Sequence, residues 1–312
     1  MSRPSVLARA PAKINLALRV GPRRPDGFHD LATVYQAIDL HDEVLATQRP
    51  DAVVSVETTD LAGRPVAGVV DNADHLGVRA ADALRRRYGV QSGVHLRVRK
   101  DIPVAAGLAG GSADAAATLV ACTELWELGI DSASLLEVGA GLGSDVPFAL
   151  LGGTALGSGR GERVATLTTA TATTWVLVSS APGLATPAVY GRTDAIRAGR
   201  ELPAPAVDDE LLAAVGSGDT GLLAAVLHND LQPAALELRP GLTAVLNAGR
   251  AAGAAAGLVS GSGPTVLLLV RDGAEAVAVS SAVWPVAIAA LTGAQMRTVC
   301  GPVAGAAVVA GA

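Results

Sequence analysis

The run Ile102-Pro103-Val104-Ala105-Ala106-Gly107-Leu108-Ala109-Gly110-Gly111-Ser112-Ala113-Asp114-Ala115-Ala116-Ala117-Thr118 constrains the fold more than any other stretch of the chain. Alternation from Val94 to Val98 predicts a strand leading in, and the small residues from Ala113 to Leu128 predict a helix leading out. Glycines between them let backbone N–H groups turn toward one point with no Cβ in the way. The start of the helix adds unpaired N–H groups and the positive end of its dipole. Strand, loop and helix together read as a receptor for an anion, phosphate above all, with a tight turn and close helix packing as the plainer alternative. Two familiar phosphate loops are excluded. G-x-x-x-x-G-K-[ST] needs a Lys followed by a hydroxyl residue, and Gly111-Ser112-Ala113 has neither in place. The dinucleotide fingerprint needs G-x-G-x-x-G, whereas the order here is G-x-x-G-G-S.

A chain of 312 residues holds one large domain or two of ordinary size. The formal net charge of −5 argues against a general nucleic-acid or membrane-surface role, so an anionic ligand needs a local basic site. Two cysteines, Cys122 and Cys300, far apart in sequence, form neither a disulfide framework nor a zinc pattern; they fit a reducing cytoplasm. Cys122 falls on the apolar helix and reads as a buried, inert thiol. Met1 to Pro4 carry no apolar signal core, and no run is expected to approach a membrane span.

From Lys13 the chain alternates polar and apolar through Val20, a strand with one wet face that Lys13, Asn15 and Arg19 would share. The segment Gly21 to Leu31 is a turn-rich loop in which Arg23 and Arg24 read equally as solvated charges or phosphate contacts. Thr33 to Leu40, Glu43 to Thr47 and Val53 to Thr58 read as short strands, and Asp71 or Asn72 is placed to cap a helix ending at Tyr88. In that helix the run Arg85 to Arg87 complements the dipole. Gly143-Ser144-Asp145-Val146-Pro147 is a tight turn with one carboxylate at its tip, a cap or a functional acid. Further helices are expected at about Asp209 to Val215, Thr220 to Leu227 and Gly241 to Ala252. Gly301 to Ala312 reads as a disordered tail.

Pro-x-x-x-Gly-Leu-x-Gly-Gly-Ser-x-Asp-Ala-Ala resembles the ATP-phosphate loop of the GHMP small-molecule kinases. Pro11-Ala12-Lys13-Ile14-Asn15-Leu16 resembles the first motif of that family, and Gly257 to Val270 the third. The resemblance covers most of the chain and implies an α+β fold of two domains, 1–160 and 161–312, with the active site in the cleft between them. It implies that Pro103, Val104, Ala105, Ala106, Gly107, Leu108, Ala109, Gly110, Gly111, Ser112 and Ala113 hold ATP, accompanied by Mg²⁺ whose ligands are unassigned, Ser112 being the best single guess. Ala109 stands where many members have Gly and restricts the loop to angles an L-residue tolerates; Ala113 stands where many have Ser and removes one hydroxyl contact.

Lys13 and Asp145 would form the catalytic pair, the carboxylate taking an alcohol proton and the ammonium steadying developing charge. Arg24-Pro25-Asp26-Gly27-Phe28-His29 resembles the segment of a member whose acceptor is a cytidine diphosphate derivative of methylerythritol. There Asn15, Phe28 and His29 would contact the acceptor, Phe28 by stacking and His29 through its ring nitrogens. Tyr190 is equally a second face for the base or an aromatic packing into the core. Asn229 is expected to bond backbone, and the Ser260 loop to support the phosphate site. Competing readings are a GHMP kinase of the mevalonate or homoserine type and a non-catalytic nucleotide-binding protein; the base-stacking segment speaks against the first, and the presence of both Lys13 and Asp145 against the second.

Overall fold

A computed structural model describes residues 5–310; Met1 to Pro4 and the last two residues of the expected tail lie outside the described residues. In chain order the elements are β1 (Ser5–Arg23), β2 (His29–Arg49), β3 (Val54–Asp60), α1 (Leu76–Tyr88), β4 (Gly93–Lys100), α2 (Gly110–Leu125), α3 (Ser132–Leu142), α4 (Val146–Leu151), β5 (Thr154–Gly159), β6 (Arg163–Leu167) and β7 (Thr173–Ser179). They continue with α5 (Thr186–Ile196), α6 (Asp209–Ser217), α7 (Thr220–Val226), β8 (His228–Asn229), α8 (Gln232–Leu238), α9 (Gly241–Ala251), β9 (Ala256–Val259), β10 (Val266–Val270), α10 (Gly273–Ala290), β11 (Gln295–Gly301) and β12 (Ala307–Val308).

The strands form two sheets. An eight-stranded sheet runs β12-β1-β2-β4-β3, with β5 and β6 extending it from β2 and β8 lying parallel to β1. A four-stranded antiparallel sheet runs β11-β7-β10-β9. Helix α2 is buried nearly all round because its alanines, fully covered at 113, 115, 116, 117 and 121, let it sit close to β1 and β2. Leu267 and Leu269 of the second sheet join the first core cluster, while Leu268 packs with α9 and α10 on the other face.

The strand-by-strand expectation holds with instructive departures. Thr33–Leu40 and Glu43–Thr47 are one strand, because Pro11 pairs His41 while Ala12 pairs Ile38; Asp39 and Leu40 bulge out and the pairing resumes. A second irregularity, between Asn15 and Ala17, inverts the alternation of β1. Lys13 and Asn15 therefore share a face, but Arg19 is turned away from them and pairs with Asp208 (2.9 Å). The cap of α1 is His75, whose Nδ1 accepts from the Gly77 N–H (3.0 Å); Asp71 instead accepts from the backbone N–H and hydroxyl of Thr58.

The tail is not disordered over its described part. Ala8 pairs Val308 in the first sheet, and the Val303 and Ala306 N–H groups donate to the Ala37 and Ala149 carbonyls. Small residues permit this closeness, since a Cβ on Gly305 would lie 2.2 Å from the Leu150 carbonyl oxygen. The expectation that no run approaches a membrane span is also corrected: α10 is 18 residues and apolar enough by length and composition. One stripe, Ala276, Val279, Val283 and Ala287, is nevertheless buried with the second sheet and α9, the spacing of a core-facing helix.

Candidate active site

Lys13 and Asp145 converge. The Lys13 ammonium lies 3.9 Å from Asp145 Oδ2, close enough for charge to act and too far for a hydrogen bond that would tie the carboxylate up. Asp145 occupies the cap position of α4 yet makes no side-chain capping bond, so its carboxylate is free of its own helix and lies beside Lys13. Lys13 is buried and its ammonium donates to Asn15 Oδ1 (2.8 Å). Asn15 Nδ2 in turn donates to Thr33 Oγ1 (2.8 Å). Asn15, expected at the acceptor, is 1% exposed, with both ends of its amide engaged by Lys13 and Thr33.

Tyr35 is a member of this cluster that sequence reading missed. Its ring packs on Phe148 at 4.9 Å, and the Lys13 ammonium sits 5.6 Å from its centroid. Burial, reinforced by the charge of Asp145 and a hydrogen bond to it, pushes the Tyr35 phenol well above its ordinary range. The phenol therefore stands as a neutral O–H beside Asp145.

The phosphate loop abuts the same cluster. The Lys13 backbone N–H donates to the Leu108 carbonyl (3.1 Å), which locks β1 to the loop. Gly110 opens α2, and no side chain caps that helix, leaving its first N–H groups for a ligand. Ala105 and Ala109 both adopt left-handed angles (φ 51° and 59°). Ala109 therefore does not hold the loop to ordinary L-residue angles: it takes the conformation that Gly would adopt freely. Ala106, Leu108 and Ala113 are buried and anchor the loop in the core, while Pro103, Val104, Gly107, Gly110 and Ser112 are half-buried and Ala105 and Gly111 exposed.

Two supports hold the loop in place. From the second sheet, the Ser260 hydroxyl donates to the Gly107 carbonyl (3.1 Å), and a Cβ on Gly107 (φ 80°) would fall 2.2 Å from the Ser260 carbonyl oxygen. Asn229 fixes the Ser260 loop by donating to the Val259 and Gly261 carbonyls (both 2.7 Å), the backbone role expected of it. From the first sheet, Lys100 lies between two buried carboxylates, Asp42 and Asp114, the latter 2.7 Å away. Asp42 Oδ1 also accepts from the Asp101 and Ile102 N–H groups (2.8 and 2.9 Å), so the unit grips the chain just before the loop and just after it. Burial pushes the Asp42 carboxyl up to about 7, opposed by Lys100 and reinforced by Asp114. Burial raises Asp114 too, and Lys100 is raised because the two acids outweigh the burial that disfavours its charge. Asp114 was legible as part of the loop motif, but its partners Asp42 and Lys100 come from strands that only the fold brings together.

Beside the loop lies a pocket of about 370 Å³ walled by Val69, Val70 and Leu76 on one side and Val104, Ala105 and Gly111 on the other. The β1–β2 hairpin meets α5 through His29. Phe28 is 51% exposed, with the Arg160 guanidinium 4.9 Å over its ring. His29 is buried, its Nε2 2.8 Å from Asp194 Oδ1, and the Tyr190 ring lies 5.1 Å from its own, tilted by 36°. Burial, and secondarily the charge of Asp145, raises the Tyr190 phenol. Arg24 bonds Asp30 (3.0 Å) and Asp26 in an exposed local cluster. Among the described residues no three His, Cys, Asp or Glu side chains gather as a metal site.

Two family models match the chain: GHMP kinases N terminal domain over residues 75–153 and GHMP kinases C terminal over residues 211–285. A 4-diphosphocytidyl-2-C-methyl-D-erythritol kinase of Streptomyces avermitilis is 52% identical over 88% of this chain and 91% of its own length. One of Streptomyces coelicolor is 50% identical over 98% and 99%. A crystal structure of 4-(cytidine 5'-diphospho)-2C-methyl-D-erythritol kinase superposes with a TM-score of 0.70 at 31% identity, covering 94% of this chain and 99% of that one. A homoserine kinase from Cytophaga hutchinsonii shares the fold at a TM-score of 0.76 with 19% identity. The lysine–aspartate pair, the uncapped glycine loop and these matches agree: the chain belongs to the GHMP kinase family, among the 4-diphosphocytidyl-2-C-methyl-D-erythritol kinases.

Proposed function

We propose that the protein transfers the γ-phosphate of ATP to the 2-hydroxyl of 4-diphosphocytidyl-2-C-methyl-D-erythritol, a step in making isoprenoid precursors. The observation that carries this reading is the 3.9 Å approach of Lys13 and Asp145 beside the phosphate loop. The loop and the start of α2 bind the phosphates, and the pocket lined by Val69, Val70 and Leu76 takes the nucleoside. Phe28 and Tyr190 provide faces on which a base stacks. Asp145 accepts the proton of the acceptor hydroxyl as it attacks, and Lys13, aimed by Asn15, steadies the charge passing onto the γ-phosphate.

Mg²⁺ is the natural companion of the triphosphate, neutralising β- and γ-phosphate charge when bound. The Ser112 hydroxyl, half-buried at the start of α2, would be an oxygen ligand of the kind that suits a hard ion taking most of its ligands from phosphate and water. The free cysteines Cys122 and Cys300 suit a reducing cytoplasm. Cys122 is fully buried, and burial raises its thiol out of the reactive range. A coupled ADP-release assay with a panel of acceptors tests the reading. Release with the cytidylyl acceptor and none with mevalonate or homoserine is expected; the reverse pattern would overturn the assignment.

A further inference from the structure

The His29 ring does not face its surroundings freely. It is 6% exposed, and its Nε2 sits 2.8 Å from Asp194 Oδ1. An ionised carboxylate only accepts, so the hydrogen of that bond belongs to Nε2. In the neutral imidazole the other nitrogen, Nδ1, is then an acceptor. Among the described residues Nδ1 makes no hydrogen bond within the protein. Asp194 and Tyr190 are four residues apart on α5 and lie on one face of it. The same helix face thus grips the imidazole twice, by the carboxylate and by the Tyr190 ring 5.1 Å away. Phe28, the neighbour of His29, presents its exposed ring at the same hairpin tip.

We propose that Asp194 is a positioning residue for base recognition: it holds His29 with Nδ1 as an acceptor, so that the site prefers a pyrimidine offering an amino group to one offering a carbonyl. Cytosine carries an amino donor where uracil carries a carbonyl acceptor, and an accepting nitrogen pairs with the first and repels the second. Without Asp194 the ring is free to carry its hydrogen on Nδ1, and this preference weakens. The inference rests on the cytidylyl acceptor proposed above.

The test measures kcat and KM by ADP release with the cytidylyl acceptor and with its uridylyl counterpart, in the wild type, Asp194→Asn and Asp194→Ala. The wild type should favour the cytidylyl acceptor by about tenfold or more in kcat/KM, the worth of one hydrogen bond gained against one repelled. Asp194→Ala should lose most of that ratio through a higher KM for the cytidylyl acceptor, with KM for ATP unchanged. Asp194→Asn, whose amide oxygen still accepts from Nε2–H, should retain it. A ratio unaltered in Asp194→Ala, with both acceptors slowed alike, would mean a structural role only and would overturn the proposal. Absence of ADP release by the wild type with either pyrimidine acceptor would instead sink the acceptor assignment and this inference with it. Should Asp194→Ala fail to fold, ¹⁵N NMR of His29 in the wild type decides directly. The hydrogen on Nε2 is expected, and a hydrogen on Nδ1 would contradict the proposal.

Discussion

At the scale of single residues, the candidate site owes its geometry to side chains that work through their neighbours. Lys13 was legible from its place in a short motif. What holds it, the Asn15 amide backed by Thr33, was not, because the bulge after Asn15 decides which residues share its face. Tyr35 was invisible for a similar reason: nothing in its local sequence distinguishes a core tyrosine from one whose hydroxyl meets a carboxylate contributed from residue 145. Ala109 gives a residue-scale prediction. A left-handed conformation costs an L-residue about 1–2 kcal/mol, and glycine returns about half of that through its freer unfolded chain. Ala109→Gly should therefore stabilise the protein by about 0.5–1 kcal/mol in urea unfolding. Loss of stability would show that the Ala109 methyl makes contacts worth more than the strain it imposes.

At the scale of elements, helices and strands followed the hydrophobic pattern well, and the departures arose where long-range pairing overrode local signals. No break falls at residues 41–42, which pair with β1 just past the Asp39–Leu40 bulge inside β2, and the tail expected to be loose supplies β12. Small residues there look like flexible sequence, yet their smallness is what lets the tail lie against Leu150 and Gly152. The unit that Lys100 forms with Asp42 and Asp114 joins β4, β2 and α2 around the phosphate loop, and it has a pH signature. An unfolded Asp titrates near ~4, while Asp42 in the folded protein is pushed up to about 7. Across that window the folded state binds the proton more tightly, so the associated stability is present at low pH and is lost as pH rises from about 4 to about 7. Asp42→Asn cannot ionise, yet its amide oxygen still accepts from the Asp101 and Ile102 N–H groups. Its melting temperature should fall less between pH 5 and pH 8 than that of the wild type. An equal fall in both proteins would remove Asp42 from this role.

At the scale of the whole molecule, the candidate reaction centre is assembled from three remote parts of the chain. β1 brings Lys13, the turn before α4 brings Asp145, and the loop between β4 and α2 is bonded to Lys13 through Leu108 and braced from the second sheet by Ser260. We propose a division into two units near residue 160. The return of β6, β8 and β12 to the first sheet ties the second unit to the first at three places. The motifs in the sequence named the parts of this centre; their distances depended on sheet order and bulges that no single motif carries. Asp145 and Lys13 are proposed to act on the transferring phosphoryl group. Single-turnover phosphorylation of the cytidylyl acceptor at saturating ATP measures that step alone, in the wild type, Asp145→Asn and Lys13→Ala, each checked for an unchanged melting temperature. Each substitution should slow the step by about 10²–10⁴-fold. A folded Asp145→Asn or Lys13→Ala protein that transfers phosphate within a few-fold of the wild-type rate would contradict this role.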